Sequence, residues 1–243
     1  MYVVLMLASL GLVQAATIPV TPVVVADPAT AGLSAGYESQ YIFRGQKISD
    51  NIGSATVFVN LPSKTDLSIK TYWNYQNSTK DVNNETDVNL SQGFAIDPTT
   101  TWFVGGTLYS YPHASVKLSQ TQYTTEVYTG LAYKGFLSPT VRAGYNLNLK
   151  QIFAEGNLSE SIPLFGGVAL RPGLTFGYAA GKDLAPNKLG AAVQNAYYYG
   201  FGSADLVYSV KNFELSAGAR YNYLADSTTT KHAWFGGAAT LKF

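Results

Sequence analysis

From Leu33 onward, apolar and polar residues alternate with a period of two, and no window holds the 18 consecutive apolar residues of a membrane-spanning helix. A chain with that rhythm folds as strands that each have one apolar side. In the first segment Leu33, Ala35, Tyr37, Tyr41 and Phe43 share one face, opposite Ser34, Gly36, Glu38, Gln40 and Arg44. The same alternation places Val57, Val59 and Leu61 together, then Leu67, Ile69 and Trp73, then Val88, Leu90 and Phe94, then Trp102, Val104 and Leu108. The last three segments are 198–210, 213–224 and 232–243. The count is about twelve strands, each near the ~9 to 11 residues a tilted membrane strand needs. An even number is what single-chain bacterial barrels require.

Connection lengths alternate too. Short turns at 62–66, 97–100, 135–138, 163–167 and 211–212 take turns with longer polar loops at 45–51, 77–84, 111–122, 181–195 and 226–231, and the tight connection at Lys150-Gln151 is the exception. Short on one side and long on the other is the habit of outer-membrane barrels, with the short turns and both termini in the periplasm.

A soluble barrel also alternates but turns its apolar stripe inward. Composition decides between the two. Charged residues are only 13% of the chain, about half the ~25% of soluble domains. The polar face carries Gly, Ser, Thr, Asn and paired charges at a density no dry core tolerates. Aromatics gather near strand ends (Tyr41 and Phe43, Trp73 and Tyr75, Trp102 and Phe103, 197–199, Tyr221 and Tyr223, Trp234 and Phe235), which suits two interfacial girdles. The expected fold is therefore all-β, an antiparallel up-and-down transmembrane β-barrel with lipid outside. The absence of Cys removes disulfide frameworks and thiolate metal sites, and a net charge of +1 gives no electrostatic footprint for nucleic acid.

Three regions are expected. Residues 1–15 read as a signal peptide: an uncharged apolar run at 2–13, then Val13-Gln14-Ala15 as a small-residue cleavage pattern, though no Lys or Arg precedes the run. Residues 16–31, with Pro19, Pro22 and Pro28, read as an extended periplasmic linker, and 32–243 as the barrel. The expected location is the bacterial outer membrane, and Phe243, with Leu241 and Ala239 on its face, resembles the terminal aromatic signal read by barrel assembly machinery.

The run Ser39-Gln40-Tyr41-Ile42-Phe43-Arg44-Gly45 resembles the first strand and loop of the TorF family of bacterial porins, where a Ser-x-Tyr-x-Phe-Arg-Gly pattern is typical. The resemblance implies an outer-membrane channel of undefined substrate. Read from the residues alone, Tyr41 and Phe43 are girdle aromatics and Arg44 meets lipopolysaccharide phosphate at the rim.

Twelve strands leave a narrow lumen. The expected pore-lining residues are Glu38, Arg44, Lys70, Glu126, Arg142, Arg171, Glu214 and Arg220, with Lys150, Glu155 and Lys242 completing the inward charges and Tyr72, Tyr109, Tyr128, Phe153, Tyr199 and Trp234 adding bulk. Apart from Arg44 these charges are six basic and four acidic, which predicts slight anion preference for small hydrophilic or ionic solutes. The competing reading is that they pair across strands and stabilise the wall. A non-conducting barrel that binds ligands through loops 111–122 and 181–195 is the alternative function, and a hydrolase the more distant one.

Catalysis is not expected, because His113 and His232 are the only imidazole bases. No cofactor or metal is expected either. Asp81, Asn83, Glu85, Asp87 and Asn89 alternate like a calcium loop, but Thr86 stands where that loop needs Gly and Gln92 where it needs Glu. The run 177–182 has three residues between its glycines where a phosphate loop has four. Asn77, Asn84 and Asn157 match the glycosylation acceptor pattern, which matters only in a eukaryote.

Overall fold

Thirteen strands follow one another in the chain: β1 (Thr30–Phe43), β2 (Gln46–Asn60), β3 (Thr65–Asn74), β4 (Glu85–Ala95), β5 (Thr100–Ser110), β6 (Tyr123–Tyr133), β7 (Thr140–Asn146), β8 (Gln151–Ser159), β9 (Ile162–Phe165), β10 (Val168–Ala180), β11 (Ala196–Val210), β12 (Phe213–Ala225) and β13 (Ala233–Lys242). The computed structural model describes residues 29–74, 84–111, 123–181, 196–225 and 232–243. Each strand pairs antiparallel with its neighbours, and β1 pairs with β13. Both β8 and β9 pair with β10, so they form one stave interrupted at Glu160-Ser161. The result is a closed barrel of twelve staves, without a free edge to template aggregation.

The turns at one end are short because their residues are built for it. At 96–100 the N–H groups of Thr99 and Thr100 and the Thr99 hydroxyl all donate to Asp97 Oδ1, at 2.7, 2.8 and 2.7 Å. Those hydrogen bonds favour the ionised form and lower the Asp97 carboxyl to about 2. At the β9–β10 turn Gly166 and Gly167 supply φ of 54° and 83°.

Partners across a ladder point to the same face, so register fixes the side of every residue. Leu33, Val57, Leu67, Ile69, Leu90, Leu108, Val127, Leu131, Val141, Ile152, Leu206 and Leu215 all lie exposed on the outer wall. The inner wall is polar and buried: Ser34, Thr56, Asp87, Asn89, Ser91, Thr107, Glu126, Arg142, Glu155, Thr175, Asp205 and Thr240. This is the reverse of a soluble barrel, as the composition predicts. Aromatics crown the outer wall at both ends, with Phe94 stacked on Trp102 at 5.0 Å near the short turns and Tyr37 against Phe235 at 6.3 Å near the other rim.

Part of the expected girdle is elsewhere. Tyr41, Phe103 and Tyr197 point inward and are buried, as are Tyr199 and Trp234, which the sequence also placed in the lumen. For all but Tyr41 the reason is geometric, since adjacent aromatics in a strand must fall on opposite faces. Several of the inward rings lie over a glycine on the next strand: Phe58 on Gly32, Tyr128 on Gly105, Phe103 on Gly130, Phe153 on Gly144 and Tyr199 on Gly177. Alternating large and absent side chains fills a narrow interior.

A Cβ on Gly177 would sit 2.0 Å from Tyr199 Cζ, whereas one on Gly156 meets only Val141 Cγ1, at 3.9 Å. We therefore expect Gly177→Ala to overpack the wall and cost about 1 to 3 kcal/mol, with Gly156→Ala close to neutral. Reversible urea unfolding of the refolded barrel measures the difference; equal midpoints would contradict the close packing.

The first strand begins at Thr30, two residues before the boundary expected from the prolines. The expected signal peptide and nearly all of the linker lie outside the described residues, as do the loops 77–83, 112–122, 182–195 and 226–231, with Asn77, Asp81, Asn83 and His113.

Candidate functional site

The expected loop at 45–51 is not a loop. Strand β2 resumes at Gln46, leaving a two-residue turn in which Arg44 and Gly45 both take left-handed backbone, φ 46° and 77°. Positive φ at both central residues is the turn that matches hairpin twist. Lower in the same hairpin Asn51 is also left-handed, φ 52°, and the ladder shifts register between Tyr41 and Ile42. Such irregularities bend a strand pair and re-aim its side chains. Tyr41, expected outside, thereby turns inward and stacks on Tyr72 at 5.2 Å.

The bent hairpin crosses the lumen. In a ring of twelve staves β7 lies opposite the β1–β2 side, flanked by β6 and β8. Arg44 reaches both flanks: Nη2 lies 2.6 Å from Glu126 Oε2 on β6 and Nη1 donates to Gln151 Oε1 on β8 at 3.1 Å. Its guanidinium also rests 3.8 Å from the centre of the Phe153 ring. Phe43 meets Tyr109 of β5 edge-on at 6.2 Å, and Asn222 Nδ2 of β12 donates to the Gly45 carbonyl at 3.1 Å. A Cβ on Gly45 would lie 2.5 Å from Tyr199 Cβ of β11, so only glycine lets the tip approach that wall. Arg44, Glu126, Gln151, Phe153, Tyr199 and Asn222 are each 2% exposed or less. That leaves little room for water beside them, and the tip packs tightly in this layer. Toward the short turns Ser68, Lys70, Asn157 and Arg171 keep part of their surface open.

The other inward charges form pairs along the wall. Arg142 lies 3.4 Å from Glu155, its partner across the β7–β8 ladder, Arg220 lies 2.7 Å from Asp205, and Glu214 takes Arg171 at 3.4 Å and Lys242 at 3.7 Å. Glu38 Oε2 accepts from Trp234 Nε1 at 2.9 Å. Lys70 stands 4.6 Å from the centre of the Tyr72 ring, a cation–π contact.

All eight expected pore-lining residues thus face the interior, and Arg44 is in the lumen, not at the rim. Lys150 is a correction: it is an exposed turn residue with φ 51°, taken out of the wall by the tight β7–β8 connection. Asp66, Glu85, Asp87 and Asp205 are inward charges that the expected set lacked. Alternation already puts Asp87 on the polar face, so period two was the signal for it. With these the described lumen carries eight acidic residues (Glu38, Asp66, Glu85, Asp87, Glu126, Glu155, Asp205, Glu214) and six basic ones (Arg44, Lys70, Arg142, Arg171, Arg220, Lys242). His232 sits just before β13, and the acidic and hydroxyl residues that precede it in sequence, Asp226 and Ser227, lie outside the described residues.

No protein-family model matches the chain, and no curated protein sequence matches it. Solved structures do. The chain is similar to the KdgM porin in complex with disordered oligogalacturonate, with a TM-score of 0.57 and 12% identity over 88% of this chain and 99% of that one. It is similar to the NanC porin, with 0.54 and 11% over 88% and 98%. The COG4313 outer membrane channel from Pseudomonas putida F1 gives 0.57 and 9% over 93% and 99%. At such identities the likeness is one of fold, and the fold is that of outer-membrane porin-like barrels.

Proposed function

We propose that the protein is an outer-membrane channel for small hydrophilic or ionic solutes, constricted by the inward-folded β1–β2 hairpin. The observation that carries the reading is a closed barrel with an apolar outside and a charged inside, because only lipid rewards that arrangement. The porin titles of KdgM and NanC and the channel title of the COG4313 protein point the same way. The residues that resemble the TorF pattern, 39–45, are those that build the constriction, which gives that resemblance a physical meaning. In this reading the long-loop rim faces lipopolysaccharide, Phe243 addresses the assembly machinery, and neither a cofactor nor an enzyme activity is involved.

The charge inventory changes the expected selectivity. Eight acidic against six basic residues favour cations, in place of the slight anion preference that the sequence suggests. One observation favours a second reading, a non-conducting barrel: the packed layer around Arg44. Planar-bilayer recording separates them. Small, cation-selective single-channel steps are the expected result. Silence from wild type and from variants that lack the Arg44 contacts would leave the non-conducting barrel.

A further inference from the structure

Each arginine in the lumen has its acid: Arg44 has Glu126, Arg142 has Glu155, Arg171 has Glu214 and Arg220 has Asp205. Glu85 and Asp87 break the rule from the other side. They stand two apart on β4, so both point into the barrel, where each is 3% exposed, and their carboxyl groups come within hydrogen-bond reach of each other. No ion pair joins either to a base among the described residues. Lys70, opposite Asp87 in the ladder, has its ammonium over the Tyr72 ring and acts on both carboxylates through space without joining either in an ion pair. Glu85 Oε2 accepts the Tyr41 hydroxyl at 2.6 Å, while Asp87 Oδ1, fully buried, has no hydrogen-bond partner among the described residues.

Two carboxylates in contact and out of water repel, and the arrangement is strongly unfavourable unless positive charge lies between them. We propose that Glu85 and Asp87 hold a hard cation of the calcium class beside the Tyr41 hydroxyl. The donors are all oxygen, the preference of such ions and not of softer metals. With two carboxylates, and no group of three or more His, Cys, Asp or Glu among the described residues, water completes the shell and the site is weak. Because Tyr41 belongs to the inward-bent part of β1, the ion ties β4 to the root of the hairpin.

Terbium, which replaces calcium and is excited through nearby tyrosines, tests this on the full chain refolded in detergent. Saturable emission on tyrosine excitation, displaced by calcium, is expected. Glu85→Gln and Asp87→Asn each weaken terbium binding at least about tenfold, the scale of losing one charged ligand, whereas Asp97→Asn at the opposite end changes nothing. Absence of saturable emission, or variants that titrate like wild type, would overturn the site and leave a shared proton as the positive charge. Should neither variant refold, Tyr41→Phe is read: emission falls if the ion lies beside that ring, and unchanged emission overturns the proposal. No ion current enters the measurement, so its outcome is independent of whether the barrel conducts.

Discussion

Replacing Arg44 with alanine is expected to open the lumen and to raise single-channel conductance several-fold over wild type. The side chain holds the hairpin against the far wall through Glu126 and Gln151 and fills the space over Phe153. Its removal strands the Glu126 carboxylate in a dry layer, a loss of about 3 to 5 kcal/mol for a broken buried pair. Each ~1.4 kcal/mol is a tenfold change in population, so the docked tip loses more than a hundredfold of its advantage. Glu126→Gln does the same from the other side, leaving a guanidinium that cannot discharge. The docked state is poorly protected against such a loss. Arg44 Nε, Glu126 Oε1 and Gln151 Nε2 already lack hydrogen-bond partners among the described residues. Arg44→Lys keeps the charge but not the planar fork and is expected to fall between wild type and alanine. Conductance equal to wild type in Arg44→Ala and Glu126→Gln, with the barrel intact by heat-modifiable gel mobility, would show that the hairpin does not obstruct the pore.

Much of this architecture is legible in the sequence because a closed barrel leaves little freedom once the period is two. The sides of Leu67, Ser68, Ile69 and Lys70, or of Val141, Arg142 and Ala143, follow from alternation alone. Illegible parts arise where alternation slips or where contacts join distant staves. Asn51 in left-handed backbone and the shift after Tyr41 flip the hairpin tip, and no periodicity reports such a slip. The stretch after Arg44, Gly45-Gln46-Lys47, is polar enough to pass for a loop. Its one clue is a glycine between two alternating runs, the mark of a tight hairpin. Arg142 and Glu155 face one another directly in the ladder, so register finds them; Arg44 and Glu126 stand four to five staves apart around the ring of twelve, and only closure brings them together. The aromatic pairs taught the opposite lesson, since period two itself requires that Trp102 and Phe103 divide between lipid and lumen.

Leu90→Arg is expected to be among the most damaging single substitutions on the outer wall. Leu90 lies midway along β4, 55% exposed and paired with Leu67 and Gly106, at the height where hydrocarbon would be thickest. An arginine facing lipid at the midplane costs about 2 to 4 kcal/mol in barrels of this kind. Ser68→Arg is the comparison. Its position is opposite Asn89, one residue along from Leu90, but it faces the part-open lumen, where a charge stays solvated. Folding into lipid vesicles, followed by denaturant titration, should show a large loss for Leu90→Arg and almost none for Ser68→Arg. In a water-soluble barrel the order would reverse, because the arginine at 90 would lie in water and the one at 68 would be forced into a closed interior. The pair of substitutions thus separates the two solvents without any assumption about what the lumen carries.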